Sequence, residues 1–249
     1  MDFIFKVTGV VLIVALWQLI FNLGWFEVAI FPSPLAVLQA LVGYFESGDL
    51  WKDLSISLLR GLVGLFIGAV FGIFIGMLTG RLRSLNLLLA PMLNFFRSLP
   101  PVAILPLFII WFGIDDQAKI NTIAFGCFFP VWLNTTSGAS RISSIYLKNA
   151  KLLSKSDIKI FFKVEIPATL PFIVIGLRLA AATAFIMVFV SELAGANQGL
   201  GFTISNAQMN YQVDVMIAAL LILAGTAACI DQLIKILSFW FFPWLKFND

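Results

Sequence analysis

Residues 58–79 read LLRGLVGLFIGAVFGIFIGMLT, an apolar run carrying one charge, Arg60, near its start. A helix rises about 1.5 Å per residue, so the run is long enough to cross the roughly 30 Å hydrocarbon core of a bilayer. Gly64, Gly68, Gly72, Gly76 and Gly80 recur at every fourth residue through it, with Gly61 ahead of them. Steps of four wind slowly around a helix, so these glycines form one groove along its face. In lipid there is little hydrophobic drive between helices, and close backbone approach has to supply association. The stretch is therefore a membrane span with a packing face of Gly64, Gly68, Gly72 and Gly76. That face either packs statically or serves as a smooth track for sliding helices, and the two are compatible.

The remainder of the chain agrees with this. Of 249 residues 61% are hydrophobic and 12% charged, Phe alone supplies 26, and the mean hydropathy is +1.01. No soluble fold of this size has interior enough for so much apolar surface. The chain reads as an all-α polytopic membrane protein, a single transmembrane domain over 1–249, and disorder, nucleic-acid binding and secretion are poor readings. Six spans are expected, at about 8–24, 58–79, within 87–114, 120–137, 171–193 and 214–242. The first is too long for a signal-peptide core. The last exceeds one bilayer thickness and tilts or protrudes.

The cations orient these spans. With an inner N-terminus, the inner side receives Lys6, Arg81, Arg83, Arg97, Arg141, Lys148, Lys151, Lys155, Lys159, Lys163, Lys235 and Lys246. The outer side receives Lys52, Arg60 and Lys119. Cytoplasmic loops carry the excess of Lys and Arg, so both termini are expected in the cytoplasm. Residues 25–57 then lie outside. There Ser33 reads as a helix N-cap with Pro34 at the first helical position. The helix, with Leu38, Leu41 and Val42 on one face, ends near Gly48 and lies on the outer surface.

Absences narrow the chemistry. There is no His, so imidazole acid–base catalysis and His-ligated metals are out. Cys127 and Cys229 sit in apolar runs and read as small buried hydrophobes rather than a redox pair. No GxxxxGK[ST] phosphate loop occurs, so an ATP-driven process would need the ATPase on another chain.

The third segment reads RSLPPVAILPLFIIWFGIDD from Arg97, and Pro100, Pro101 and Pro106 bend or break its helix. Broken helices at membrane depth are tolerated where freed carbonyls face protein or a water-filled path. Arg97 either snorkels to the inner interface or lines such a path, and Arg178 in the fifth span has the same two readings.

The longest inner loop, 141–170, is centred on YLKNAKLLSKSDIKIFFKVEIPATLP. Lysines ring two short amphipathic stretches, with Ser156 placed to cap the second. Leu147, Leu152, Leu153, Ile158, Phe161 and Phe162 are apolar yet outside the bilayer in this topology. Either they rest on the inner leaflet or they dock into a cytoplasmic partner.

This loop resembles the coupling loop of bacterial ABC-importer permeases, whose pattern is roughly E-A-A-x3-G-x9-I-x-L-P. Aligned on Ile166 and Pro167, the E-A-A positions fall on Lys148, Asn149 and Ala150 and the glycine on Ser154, so Glu, the first Ala and Gly are replaced. FPSP at 31–34 with GDLWKDLSISLLRGL, RSLPPVAILPLFIIWFGIDDQAKI, and SELAGANQGLGFTISNAQ resemble permeases of the nitrate, sulfonate, taurine and bicarbonate group. The similarity runs over 31–244.

The resemblance implies a type I importer fold and alternating access driven by ATP. It implies two cytoplasmic ATPase subunits holding ATP and Mg, a second permease subunit in a homodimer, and a periplasmic or lipid-anchored substrate-binding protein. No cofactor is expected on this chain, which would lie multi-pass in a bacterial inner membrane and contact lipid but no nucleic acid. The coupling residues would be Lys148, Asn149, Ala150, Leu153, Ser154, Ser156 and Pro167. Polar candidates for a pathway carrying a small anion are Arg97, Asn134, Arg178, Ser191 and Glu192, with Thr135 and Thr136 nearby. Any of them is equally able to serve as a helix–helix hydrogen bond. The rival reading is an ion-gradient-driven secondary transporter, and the scarcity of in-span acids beyond Glu192 and Asp231 counts against it.

The missing phosphate loop has a direct consequence. The purified chain, free of other polypeptides, is expected to show no ATP turnover in a phosphate-release assay. A rate of about 1 per second or more, ordinary for an enzyme, would overturn this.

Overall fold

The computed structural model describes residues 2–242, and every regular element among them is helical. In chain order these are α1 (Asp2–Asn22), α2 (Pro34–Glu46), α3 (Asp49–Arg81), α4 (Arg83–Arg97), α5 (Pro101–Phe112) and α6 (Asp116–Ser140). Then come α7 (Ser144–Leu153), α8 (Asp157–Ile160), a π-helical turn (Phe161–Glu165), α9 (Ile166–Leu193), α10 (Leu200–Met209) and α11 (Val213–Phe241). Lys246, Trp244 and the side chain of Lys6, which entered the sequence reading, lie outside the described residues. The helices gather into two units. One holds the chain up to Ser57 together with Glu192–Gly225, and the other holds Leu58–Ser191 with the chain from Thr226 onward.

Length and apolar composition mark α3, α11 and the continuous helical stretch Asp157–Leu193 as able to cross a membrane. α4 and α5 qualify as a pair, bent by 94° at their break. That break falls at Pro100 and Pro101 as expected: Pro101 opens α5, where its missing N–H costs nothing. The six-span expectation is met less fully. The apolar stretch Thr8–Asn22 is short for a span. α6 has the length, but Asn121, Thr122, Asn134, Thr135 and Thr136 dilute it. The helix that carries the expected fifth span, 171–193, begins earlier than the span. The helix is already under way at Asp157 and passes Pro167 and Pro171 without ending. Proline removes a backbone donor and crowds the carbonyl four residues back. The π-helical turn just before Pro167 is the local adjustment by which such a helix continues.

In the unit containing the N-terminal segment, Ser33 caps α2 by accepting from the Ala36 amide at 3.1 Å, and Pro34 opens the helix. Trp17 Nε1 donates to the Pro32 carbonyl at 3.0 Å and its ring meets Phe31 edge-on, which ties α1 to the start of α2. Val37 is the buried residue of α2, while Leu38 and Val42 stay exposed, as suits a helix lying at a membrane surface.

The other unit is built on the glycine groove. A β-carbon at Gly64 would lie 2.5 Å from Ile123, at Gly68 2.5 Å from the Ala124 carbonyl, and at Gly72 2.8 Å from Val131. At Gly76 it would lie 2.6 Å from Thr135, and at Gly80 2.5 Å from Ala139. Gly68 also meets Cys127, at 2.8 Å, so the α6 side chains Ile123, Cys127, Val131, Thr135 and Ala139 advance by four as well, and two matching ridges interlock with the backbones in contact. Next to this contact Thr79 Oγ1 lies 2.8 Å from Thr136 Oγ1 and accepts from Trp132 Nε1 at 3.2 Å. Arg60, counted above as an outer cation, is buried against Asp116 in the first turn of α6, with Nη2 at 2.6 Å from the carboxylate.

A bulky side chain in this groove has nowhere to go. Gly68→Leu and Gly72→Leu are each expected to cost about 3 kcal/mol or more through overpacking against backbone. Gly43→Leu on α2, with nothing within 4 Å, should cost little. Thermal unfolding of the three variants in detergent checks this, and equal midpoints would refute the groove.

Candidate functional site

The segment between α6 and the π-helical turn folds as two short helices. Ser143 caps α7, and Ser156 caps α8 by accepting from the Lys159 amide at 3.4 Å. Between them Ser154 closes α7 in an extended conformation, φ −149°, which any residue adopts, so glycine is not needed here. The Ser154 hydroxyl instead accepts from the Ser156 amide at 3.2 Å. The turn throws Leu152 and Leu153 outward, 86% and 90% exposed, with Lys148 and Asn149 also on the surface. Ala150 is buried, and with Leu153 and Ser154 it lines a cavity of about 350 Å³ facing Lys159 and Lys163. Pro167 stands after the π-helical turn, in the first turn of α9. The candidate coupling residues Lys148 to Ser156 thus share one knob, with Pro167 at its root. An exposed leucine pair beside a notch is a shape that a partner's groove can take up.

The pathway candidates have separate local partners. Arg97 is exposed at the end of α4. Asn134 Nδ2 donates to the Pro130 carbonyl at 2.8 Å, and buried Ser191 donates to the Val188 carbonyl at 3.1 Å. Both are back-bonds within a helix. Arg178 forms a bidentate pair with Asp231 of α11, at 2.8 and 2.9 Å, and both side chains stay about one-third exposed. A charge at membrane depth is costly unless paired, so this pair holds a guanidinium in place without hiding it.

Glu192 belongs to a third arrangement. The first amides of α10 have no helical acceptors of their own. Gly199 N–H donates to Asp53 at 2.9 Å, Leu200 N–H to Ser57 Oγ at 2.9 Å, and Gly201 N–H to Glu192 at 2.8 Å. Ser57 in turn donates to Glu192, and Asp53 accepts from Thr203 at 2.6 Å and from the Tyr44 hydroxyl. Burial, then Asp53 as acceptor, holds the Tyr44 phenol well above its usual range, so it remains the donor. Gly199 has φ +121°, and a β-carbon there would fall 2.5 Å from Glu192. Two carboxylates and a hydroxyl thus cap one helix N-terminus, where the dipole favours negative charge. The sequence reading missed Asp53, Tyr44 and Ser57. Gly199 and Gly201 flanking Leu200 shortly after Glu192 were the local hint.

Residues 68–242 match the family described as binding-protein-dependent transport system inner membrane component. The chain belongs to this family. A permease of Bacillus subtilis (strain 168) named for aliphatic sulfonates transport is 34% identical over 93% of this chain and 84% of its own length. The taurine transport system permease of Escherichia coli (strain K12) is 29% identical over 93% and 86%. The fold matches an inward-facing structure of the MetNI methionine ABC transporter with TM-score 0.62 and 21% identity, covering 78% of this chain and 96% of that one. The protein is an ABC-importer permease subunit, a multi-pass protein of the inner membrane, and the ion-gradient alternative falls away.

The cap on α10 makes a measurable contribution. Hydrogen bonds to a charged acceptor are worth about 1.5–3 kcal/mol each. Glu192→Gln and Asp53→Asn should each lower the unfolding midpoint by an amount equivalent to about 2 kcal/mol, whereas exposed Glu27→Gln should leave it unchanged. Indistinguishable midpoints for all three would mean that the carboxylates do not hold α10.

Proposed function

We propose that this permease works as one of two identical membrane subunits, with two cytoplasmic ATPase subunits that bind ATP and Mg and an external binding protein that delivers a small sulfonate-type anion. ATP-driven closure of the ATPases moves the knob at 144–160 and switches the permease between inward- and outward-facing states. Lys148, Asn149, Ala150, Leu153, Ser154 and Ser156 meet the ATPase, and Pro167 anchors the knob to α9. Both chain ends lie in the cytoplasm. The observation that carries the coupling role is the outward leucine pair, Leu152 and Leu153, on the side of the chain that the cations mark as inner. A sulfonate substrate is supported by the names of the relatives from Bacillus subtilis and Escherichia coli. The membrane-depth guanidinium of Arg178, held in reach by Asp231, suits an anion.

The test is reconstitution of the chain with its ATPase and binding protein in vesicles. Uptake of an alkanesulfonate or taurine should require ATP and the binding protein, and nitrate or bicarbonate uptake in its place would move the substrate within the anion class. Leu153→Asp forces a charge into the partner's groove without a counter-ion, a cost of several kcal/mol. Uptake and stimulated ATPase activity should fall together by at least about 100-fold, while insertion and folding persist. Full uptake by Leu153→Asp, with the ATPase still bound, would remove the loop from coupling.

A further inference from the structure

A second cavity adjoins the same π-helical turn. Val70, Phe74, Met77 and Leu78 of α3 face Phe161 and Phe162 across about 440 Å³. Every residue lining it is apolar, and Phe74 and Phe162 are open at its mouth, 62% and 63% exposed. Its inner end is different. Arg81 follows Met77 and Leu78 by four and three residues, so it stands over them on the same helix face. Its guanidinium lies 5.8 Å from the centre of the Phe161 ring, one wall of the slot. Glu165 holds Arg81 Nε at 3.5 Å, but a guanidinium carries five donors, more than one carboxylate occupies. Exposed Arg83, Lys159 and Lys163 lie within a few residues of these walls and outnumber Glu165 and Asp157.

The depth of the slot is also informative. The α3 residues that line it, Val70 to Leu78, span 78 − 70 = 8 residues, or about 12 Å of helix, and Arg81 lies about one turn further, at about 16 Å from Val70. That is about half of a hydrocarbon core of roughly 30 Å. The slot is therefore apolar throughout, and slot and Arg81 together are about one leaflet deep. Basic pockets between membrane helices on the cytoplasmic side recognise anionic headgroups.

We propose that this slot binds an anionic phospholipid of the inner leaflet, with one acyl chain between α3 and the π-helical turn and its phosphate on Arg81 and Lys163. A free phosphate would have no use for the apolar slot, and a zwitterionic lipid would leave the basic rim uncompensated. The bound chain braces Phe161 and Phe162, which join the inner loop to α9. The proposal rests on the orientation given by the cations and is independent of the substrate.

The full chain, in vesicles of equal parts phosphatidylglycerol and phosphatidylcholine, is irradiated with a trace of either lipid bearing a diazirine on its acyl chain, and labelled peptides are mapped. The phosphatidylglycerol probe should label 70–78 and 161–166 about fivefold or more over the phosphatidylcholine probe. Lys163→Gln combined with Arg83→Gln should bring that ratio toward one while labelling persists. Ile73→Trp, which fills the slot, should remove labelling of these segments by both probes while the protein elutes as a folded species. Equal labelling of the native chain by the two probes would overturn the headgroup assignment. No labelling of these segments in a folded native chain would mean that another polypeptide covers this face, and would overturn the proposal entirely.

Discussion

The contact between α3 and α6 is the constraint on which the larger unit depends. Water drives soluble helices together, but lipid offers no such drive, so these two helices hold by touching backbone to backbone. Five glycines spaced by four on α3 meet Ile123, Ala124, Val131, Thr135 and Ala139 on α6. The glycine line also sets the register that lets Thr79 find Thr136 and Trp132. The same helix is bracketed by ion pairs, Arg60 with Asp116 and Arg81 with Glu165. Between the two arginines lie 81 − 60 = 21 residues, about 31 Å of helix, which matches the hydrocarbon thickness of a bilayer. These two arginines thus fall where a membrane tolerates them, and each is given a carboxylate from another element.

What was legible in the sequence was local or periodic. The glycine spacing, the Ser33–Pro34 cap, the break at Pro100–Pro101 and the capping role of Ser156 each depend on a few neighbouring residues, and the structure realises all four. The family was legible as well, because long motifs carry it. The cap on α10 was not. Asp53 and Gly199 are 146 residues apart and Ser57 and Glu192 are 135 apart, and no local pattern announces such a meeting. Arg178 and Asp231 were visible singly as charges at membrane depth, but their pairing exists only once α9 and α11 are placed. The helix that carries the fifth span begins at Asp157, ahead of 171, and passes Pro167 and Pro171. A π-helical turn absorbs the fault, and nothing in the one-letter sequence marks it.

That turn has a mechanical meaning. From Asp157 to Leu193 the chain is a single helical stretch of 37 residues, about 55 Å long, with its near end at the exposed knob. A rod of this kind carries a displacement imposed at one tip toward the other as tilt or rotation. Its one compliant place is the wide turn at Phe161–Glu165, clamped on one side by Arg81 through Glu165 and the Phe161 ring. The stiffness of that clamp decides how much of an imposed stroke is transmitted and how much is spent as bending. How far a displacement at the knob reaches along α9 is therefore set within the five residues of that turn.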